Sequence, residues 1–169
     1  MKQNNVTKKL SMAGILVAIA VVGSLISVPV AGSKCAPIQH MVNVIAAVLL
    51  GPWWGVAIAF CASLIRNIMA LGSLMAFPGS MVGALCCGIA YAASRNIGIT
   101  CLAEAAGTGF LGGLAAYPVA KLLMGIQPAG YFVYVVPFLI STVAGSIRAY
   151  ILVKILEKNK ILGQVQNTF

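Results

Sequence analysis

Acidic side chains are nearly missing from this sequence: among 169 residues only Glu104 and Glu157 carry a carboxylate. The carboxylate pairs of acid–base catalysis are therefore excluded. Histidine is represented once, by His40, which rules out a histidine-rich metal motif. Five cysteines are present, but their spacing has no metal-binding pattern, since Cys86 and Cys87 are adjacent and point to different helix faces. Most lie inside apolar runs and are expected to act as small buried hydrophobes. No phosphate-cradling Walker sequence occurs, so any ATP-driven process requires ATPase subunits supplied in trans. Charge of either sign makes up only 8% of the chain. A soluble domain usually carries about 25%, so a water-facing globule is excluded.

The chain is instead 61% hydrophobic, as expected of one membrane-embedded domain. A spanning helix takes about 20 apolar residues. Runs bounded by Gly, Pro and short polar turns predict six helices, about 8–29, 38–50, 53–72, 75–93, 99–123 and 131–157. The expected fold is an all-α, integral membrane six-helix bundle, with the N-terminal run read as a first helix rather than a removed signal peptide. Trp53 and Trp54 stand where aromatic residues favour the membrane interface.

The net charge of +9 could point to nucleic acid, but the basic residues form no basic face and sit mostly at the ends of apolar runs. Six helices place both termini on one side. With the termini cytoplasmic, the inner side receives Lys2, Lys8, Lys9, Arg95, Lys154, Lys158 and Lys160, and the outer loops only Lys34 and Lys121. That bias obeys the positive-inside rule.

Polar groups inside such a chain are costly and point to a site, a pair or a wet cavity. Glu104 and Arg148 are expected at comparable depth toward the cytoplasmic side, as a structural ion pair. Arg66 lies past the middle of helix three toward the outside, with no acid expected at its depth. It either snorkels to the interface or lines a wet cavity. At the same outer level the sequence places Gln39, His40 and Asn43 on one broad face of helix two, Asn67 beside Arg66, and Phe77 and Ser80 at the start of helix four. Tyr117 closes helix five, and Tyr131 and Tyr134 open helix six. Singly, each is more often a cap or an interfacial belt residue. Together they describe a small-ligand pocket with aromatic walls and a few placed polar groups. The loop holding Lys34, Cys35 and Pro37 is expected as its lid.

Two further features leave alternatives open. Gly14 with Ala18, and Ala20 with Ser24, make small-xxx-small ridges on helix one, suited to internal packing or to docking another membrane protein. Cys35 and His40 could serve a small membrane enzyme or redox protein as nucleophile and base, although their spacing across a proline gives no reason for contact. A ligand-free scaffold is the third possibility.

The segment CAPIQHMVNVIAAVLLGPWWGVAIAF, followed by SLIRN and AFPGSMVGALCCGIAY, resembles the ThiW group of substrate-binding S-components of energy-coupling factor (ECF) transporters. The motifs PxQHxxN, LLGPWW, SLxRN and FPGSMxGA run through helices two to four. The resemblance implies a non-enzymatic, multi-pass subunit of a bacterial plasma-membrane importer. Such a subunit binds its vitamin in the outer half and needs no cofactor of its own. It works with a transmembrane coupling subunit and two ATPases that hydrolyse ATP. The implied ligand is the thiazole precursor of thiamine, hydroxyethylthiazole; another small vitamin or an anionic thiazole derivative is the alternative. Gly14 and Ala18 are the implied contact with the coupling subunit, where the family's motif is usually alanine-based. Phe77, Tyr117 or Tyr134 would stack on the thiazole ring, and Gln39, His40, Asn43 or Asn67 would meet its nitrogen and hydroxyl.

Overall fold

The computed structural model describes residues 2–30, 33–166 and 168. Helix α1 (Lys2–Gly23) passes through a 3-10 turn, Ser24–Ile26, into an antiparallel hairpin of β1 (Val28–Val30) and β2 (Ser33–Cys35). Helices α2 (Pro37–Leu49), α3 (Pro52–Ile68) and α4 (Ala76–Ser94) follow. A continuous rod is then formed by α5 (Ile97–Glu104), a π-helical segment (Ala105–Gly112) and α6 (Gly113–Leu123). Helix α7 (Val135–Lys158) completes the bundle, and the short α8 (Ile161–Gln166) returns to it, Gln166 Nε2 donating to Val48 O at 3.0 Å.

Local chemistry explains most boundaries. Pro37 and Pro52 open α2 and α3, where their missing N–H is not needed. Asn96 caps α5, its Oδ1 accepting from Gly98 N at 2.8 Å and Ile99 N at 3.3 Å. The last long helix begins at Val135 rather than 131, with Tyr131–Tyr134 forming a turn before it. A start at 131 would put Pro137 in the helix interior and cost a backbone bond; a start at 135 leaves it in the first turn. The first helix likewise ends at Gly23, short of residue 29, because the chain pairs as a hairpin there.

The distribution of polarity is that of an all-α membrane bundle. Four stretches, Asn5–Ile26, Ala76–Ser94, Ile97–Leu123 and Val135–Lys158, are long and apolar enough to cross a bilayer. Ile15, Ile19, Leu102, Phe110, Ile140 and Ile147 face outward, whereas Gln39, Asn43, Ser63, Arg66, Thr100, Glu104 and Thr108 are buried. A soluble protein would reverse that arrangement. The glycines of the π segment allow close approach: a Cβ on Gly112 would stand 2.6 Å from the Cα of Gly79 in α4.

One dimension positions the site. Helix α2 has 13 residues and rises only about 20 Å, less than the roughly 30 Å of a bilayer core. Its first turn therefore starts inside the bundle, beneath the hairpin, and brings Gln39 and His40 to the middle of the polar interior.

Candidate functional site

A small cavity of about 40 Å³ opens under the hairpin. Cys35 and Ala36 cover it, α2 contributes Gln39 and His40, and α3 contributes Arg66. Ser73, Ala76, Gly79 and Ser80 line it from α4 and the turn before it, Thr108 from the π segment, and Phe138 and Ser141 from α7. That is room for a few waters, so a ligand of several heavy atoms enters only as the lining moves apart.

At the cavity's inner end four polar side chains converge on the buried carboxyl of Glu104. Glu104 Oε1 lies 2.9 Å from His40 Nδ1 and accepts from Asn43 Nδ2 and Thr108 Oγ1, each at 3.0 Å. Its Oε2 accepts from Cys87 Sγ at 3.0 Å. The His40 contact has no direction fixed by distance: the hydrogen is on Nδ1 where Glu104 is the ionised, acceptor-only carboxylate. The helices come close enough for this contact because α4 carries glycine at position 83. A Cβ there would collide with the Thr108 hydroxyl and stand 2.6 Å from Glu104 Oε2. Glu104 ends α5 and Thr108 follows within the π segment, an irregularity that often accompanies function.

At the outer end stands Arg66, 3% exposed, with Nη1 donating to Gln39 Oε1 at 3.3 Å. Its Nε has no partner, nor do Gln39 Nε2, Asn43 Oδ1 and Ser141 Oγ. These are the four unpartnered buried side-chain N and O atoms among the described residues. Three of their residues line this cavity, and Asn43 stands behind it on the same carboxylate. An unsatisfied buried polar group costs about 1–3 kcal/mol, so their gathering at one place marks a site that a polar ligand would complete.

The sequence-predicted residues divide into two groups. Gln39, His40, Asn43, Arg66 and Ser80 come together as described, and Cys35 covers them. The others lie elsewhere. Asn67 holds the α3–α4 turn, its Nδ2 donating to Ser63 O at 2.8 Å and Ser73 O at 3.1 Å. Phe77 packs on Phe60, ring centroids 5.7 Å apart, away from the lining. Tyr117 and Tyr131 stack on each other at 4.5 Å, with Tyr131 exposed, and Tyr134 is buried beside Met75, Ala116 and Ala120. Phe138, not those rings, is the aromatic wall. Pro37 starts α2, and the Lys34 side chain expected in the lid lies outside the described residues.

One expectation needs correction. Glu104 does not pair with Arg148: the carboxylate is fully buried and taken up by His40, Asn43, Thr108 and Cys87, while Arg148 lies exposed on the outside of α7. Arg66 has no acid in contact: Gln39 touches it and the adjacent His40 touches Glu104, so short α2 links the two charges only through neighbours. Glu104, Thr108, Phe138 and Ser141 were thus missed as site residues. The one signal for Glu104 was its rarity, an unmatched acid within an apolar helix.

Cys35 and His40 both border the cavity but are bonded apart. Cys35 Sγ donates to Pro137 O at 3.2 Å, and burial pushes its thiol pKa up, the wrong direction for a nucleophile. Cys61, expected to be buried, is exposed on α3. On helix one the two ridges separate. Ala20 and Ser24 are buried in the bundle, whereas Gly14 and Ala18 face outward, with open space around Gly14. Among the described residues no group of three or more His, Cys, Asp or Glu side chains is arranged to hold a metal.

The sequence model of one protein family, described as "Thiamine-precursor transporter protein (ThiW)", matches residues 10–159. No curated protein and no solved structure matches the chain.

Proposed function

The chain belongs to the ThiW family of thiamine-precursor transporter proteins, and from that membership we propose that it is the substrate-specificity subunit of an ECF-type importer that captures hydroxyethylthiazole. In this reading the hairpin end of the bundle faces outward and the termini are cytoplasmic, in a bacterial plasma membrane. The protein performs no catalysis and needs no cofactor. ATP is hydrolysed by two partner subunits, and a transmembrane coupling subunit docks on the outward ridge of Gly14 and Ala18.

The observation that carries this reading is the gathering of unpartnered polar atoms around one cavity with a single aromatic wall. A thiazole alcohol is small and flat, with one ring nitrogen and one hydroxyl. Phe138 offers a face for the ring. The ring nitrogen accepts a hydrogen bond from Arg66, Gln39 or Ser141, and the hydroxyl reaches toward His40. Each bond restored to a buried group adds discrimination against analogues that cannot make it.

Calorimetry on detergent-purified protein tests the reading. A single saturable heat with hydroxyethylthiazole, at micromolar ligand or below, is expected. Absence of that heat, with binding of a different vitamin or precursor, would remove the thiazole assignment.

A further inference from the structure

We infer that Glu104 is a positioning residue that sets the substrate's hydrogen-bond polarity: it fixes His40 with its proton on Nδ1, so that Nε2 meets the ligand as an acceptor, and with Arg66 it makes the cavity electrically neutral. The ligand class that follows is a neutral molecule with a free O–H or N–H donor at one end and an acceptor at the other. Phosphate esters and carboxylates are selected against. This rests on the reading of the cavity as the substrate site.

The donors around Glu104 define the polarity. Its Oε1 accepts from Asn43 and Thr108 and its Oε2 from Cys87, a donor set that suits an ionised carboxylate, and in the inferred state that carboxylate also takes the Nδ1 hydrogen of His40. When Nδ1 is so engaged in a neutral imidazole, Nε2 carries the lone pair. No hydrogen bond within the described residues uses Nε2, and the His40 side chain, 10% exposed, borders the cavity.

Charge balance points the same way. Glu104 and Arg66 are the buried acid and the buried cation of the described chain, and the chain's other carboxylate, Glu157, pairs at the surface with Lys154. The two buried charges are joined through neighbours, Arg66 through Gln39 and Glu104 through His40, so they balance without neutralising each other locally. A second positive charge on His40 would leave a net cation inside an apolar bundle, which is costly. The cavity thus carries a dipole, positive toward Arg66 and negative toward Glu104. A neutral dipolar ligand matches it. An anion meets Arg66 but brings an unbalanced charge, and its ester oxygen no longer offers a hydrogen to Nε2.

His40 is the sole histidine, so ¹⁵N-histidine labelling of tag-free protein gives one unambiguous NMR signal pair without any ligand. A protonated Nδ1 and a bare Nε2 are expected. A ring protonated at both nitrogens, or at Nε2 alone, overturns the inference whatever the protein binds. In competition binding to wild-type protein, hydroxyethylthiazole should outbind both its phosphate and its methyl ether by about 30-fold or more. Either derivative binding as tightly as the alcohol overturns the inference. If none of the three binds, the thiazole reading falls, and the NMR state still decides the role of Glu104. Glu104→Gln offers His40 either a donor or an acceptor and removes the negative pole. The alcohol-to-phosphate preference should then shrink by about tenfold, whereas a merely structural role would weaken both ligands alike.

Discussion

Arg66 Nη1 lies 3.3 Å from Gln39 Oε1, yet the neighbouring Nε has no partner. A guanidinium buried to this degree and held by a single long neutral contact is poised to take a further acceptor. Arg66→Met should weaken ligand binding by about 30-fold or more, since it removes a charge-assisted bond worth roughly 2 kcal/mol. Arg66→Lys should recover only part of that loss, because a point charge lacks the planar fork. Titration calorimetry of both variants measures it; unchanged affinity in Arg66→Met would show that the ligand does not use this end.

Gly83 decides whether α4 can lie against the Glu104–Thr108 turn. Gly83→Ala should displace the Thr108 hydroxyl and the carboxylate, lowering affinity by at least about tenfold through a residue that makes no polar contact itself. The protein should still purify as a folded bundle in size-exclusion chromatography. Wild-type affinity in Gly83→Ala would contradict the packing described here.

Glu104 and Arg148 should behave as unrelated residues. Glu104→Ala strands four polar side chains in the interior and is expected to cost about 3 kcal/mol or more of stability. Arg148→Gln, at an exposed position, should leave the thermal midpoint in detergent unchanged. A double-mutant cycle giving a large coupling between the two would restore the ion pair expected from sequence.

The Cys35 thiol has its pKa raised by burial, so the thiolate that reacts with maleimides is scarce near neutral pH. Labelling should be slow at pH 7, should keep accelerating above the ordinary thiol value of 9.0, and should slow further with ligand bound. Cys35→Ser keeps the small polar group beside Pro137 O and should bind ligand within about threefold of wild type. Loss of activity in that variant, with folding intact, would favour thiol chemistry instead.

Gly14 and Ala18 separate ligand capture from transport. Gly14→Leu fills open space on the outer face of α1, so purified protein should bind ligand normally. Uptake by cells expressing the complete importer should fall severely if a coupling subunit packs on that ridge. Normal uptake would move the docking surface elsewhere.

By itself the sequence determined the all-α membrane bundle and the family. Each depends on signals local along the chain: apolar runs of spanning length, breakers such as Gly51-Pro52, and motifs such as LLGPWW. It also picked out Gln39, His40, Asn43, Arg66 and Ser80 as candidates, because one-turn spacings and short loops fix depth to within a few residues. Only the tertiary structure decided what these residues touch. Helix rotation sets whether a ring faces the cavity or the lipid, and it turned Phe138 inward while Tyr117 and Tyr131 stacked with each other. The length of α2, 13 residues rather than a full span, brought its first turn down to the level of Glu104. The contact between His40 and Glu104 crosses 64 residues of sequence. It depends on close approach at Gly83 and on a π-helical turn whose register the local sequence pattern does not reveal.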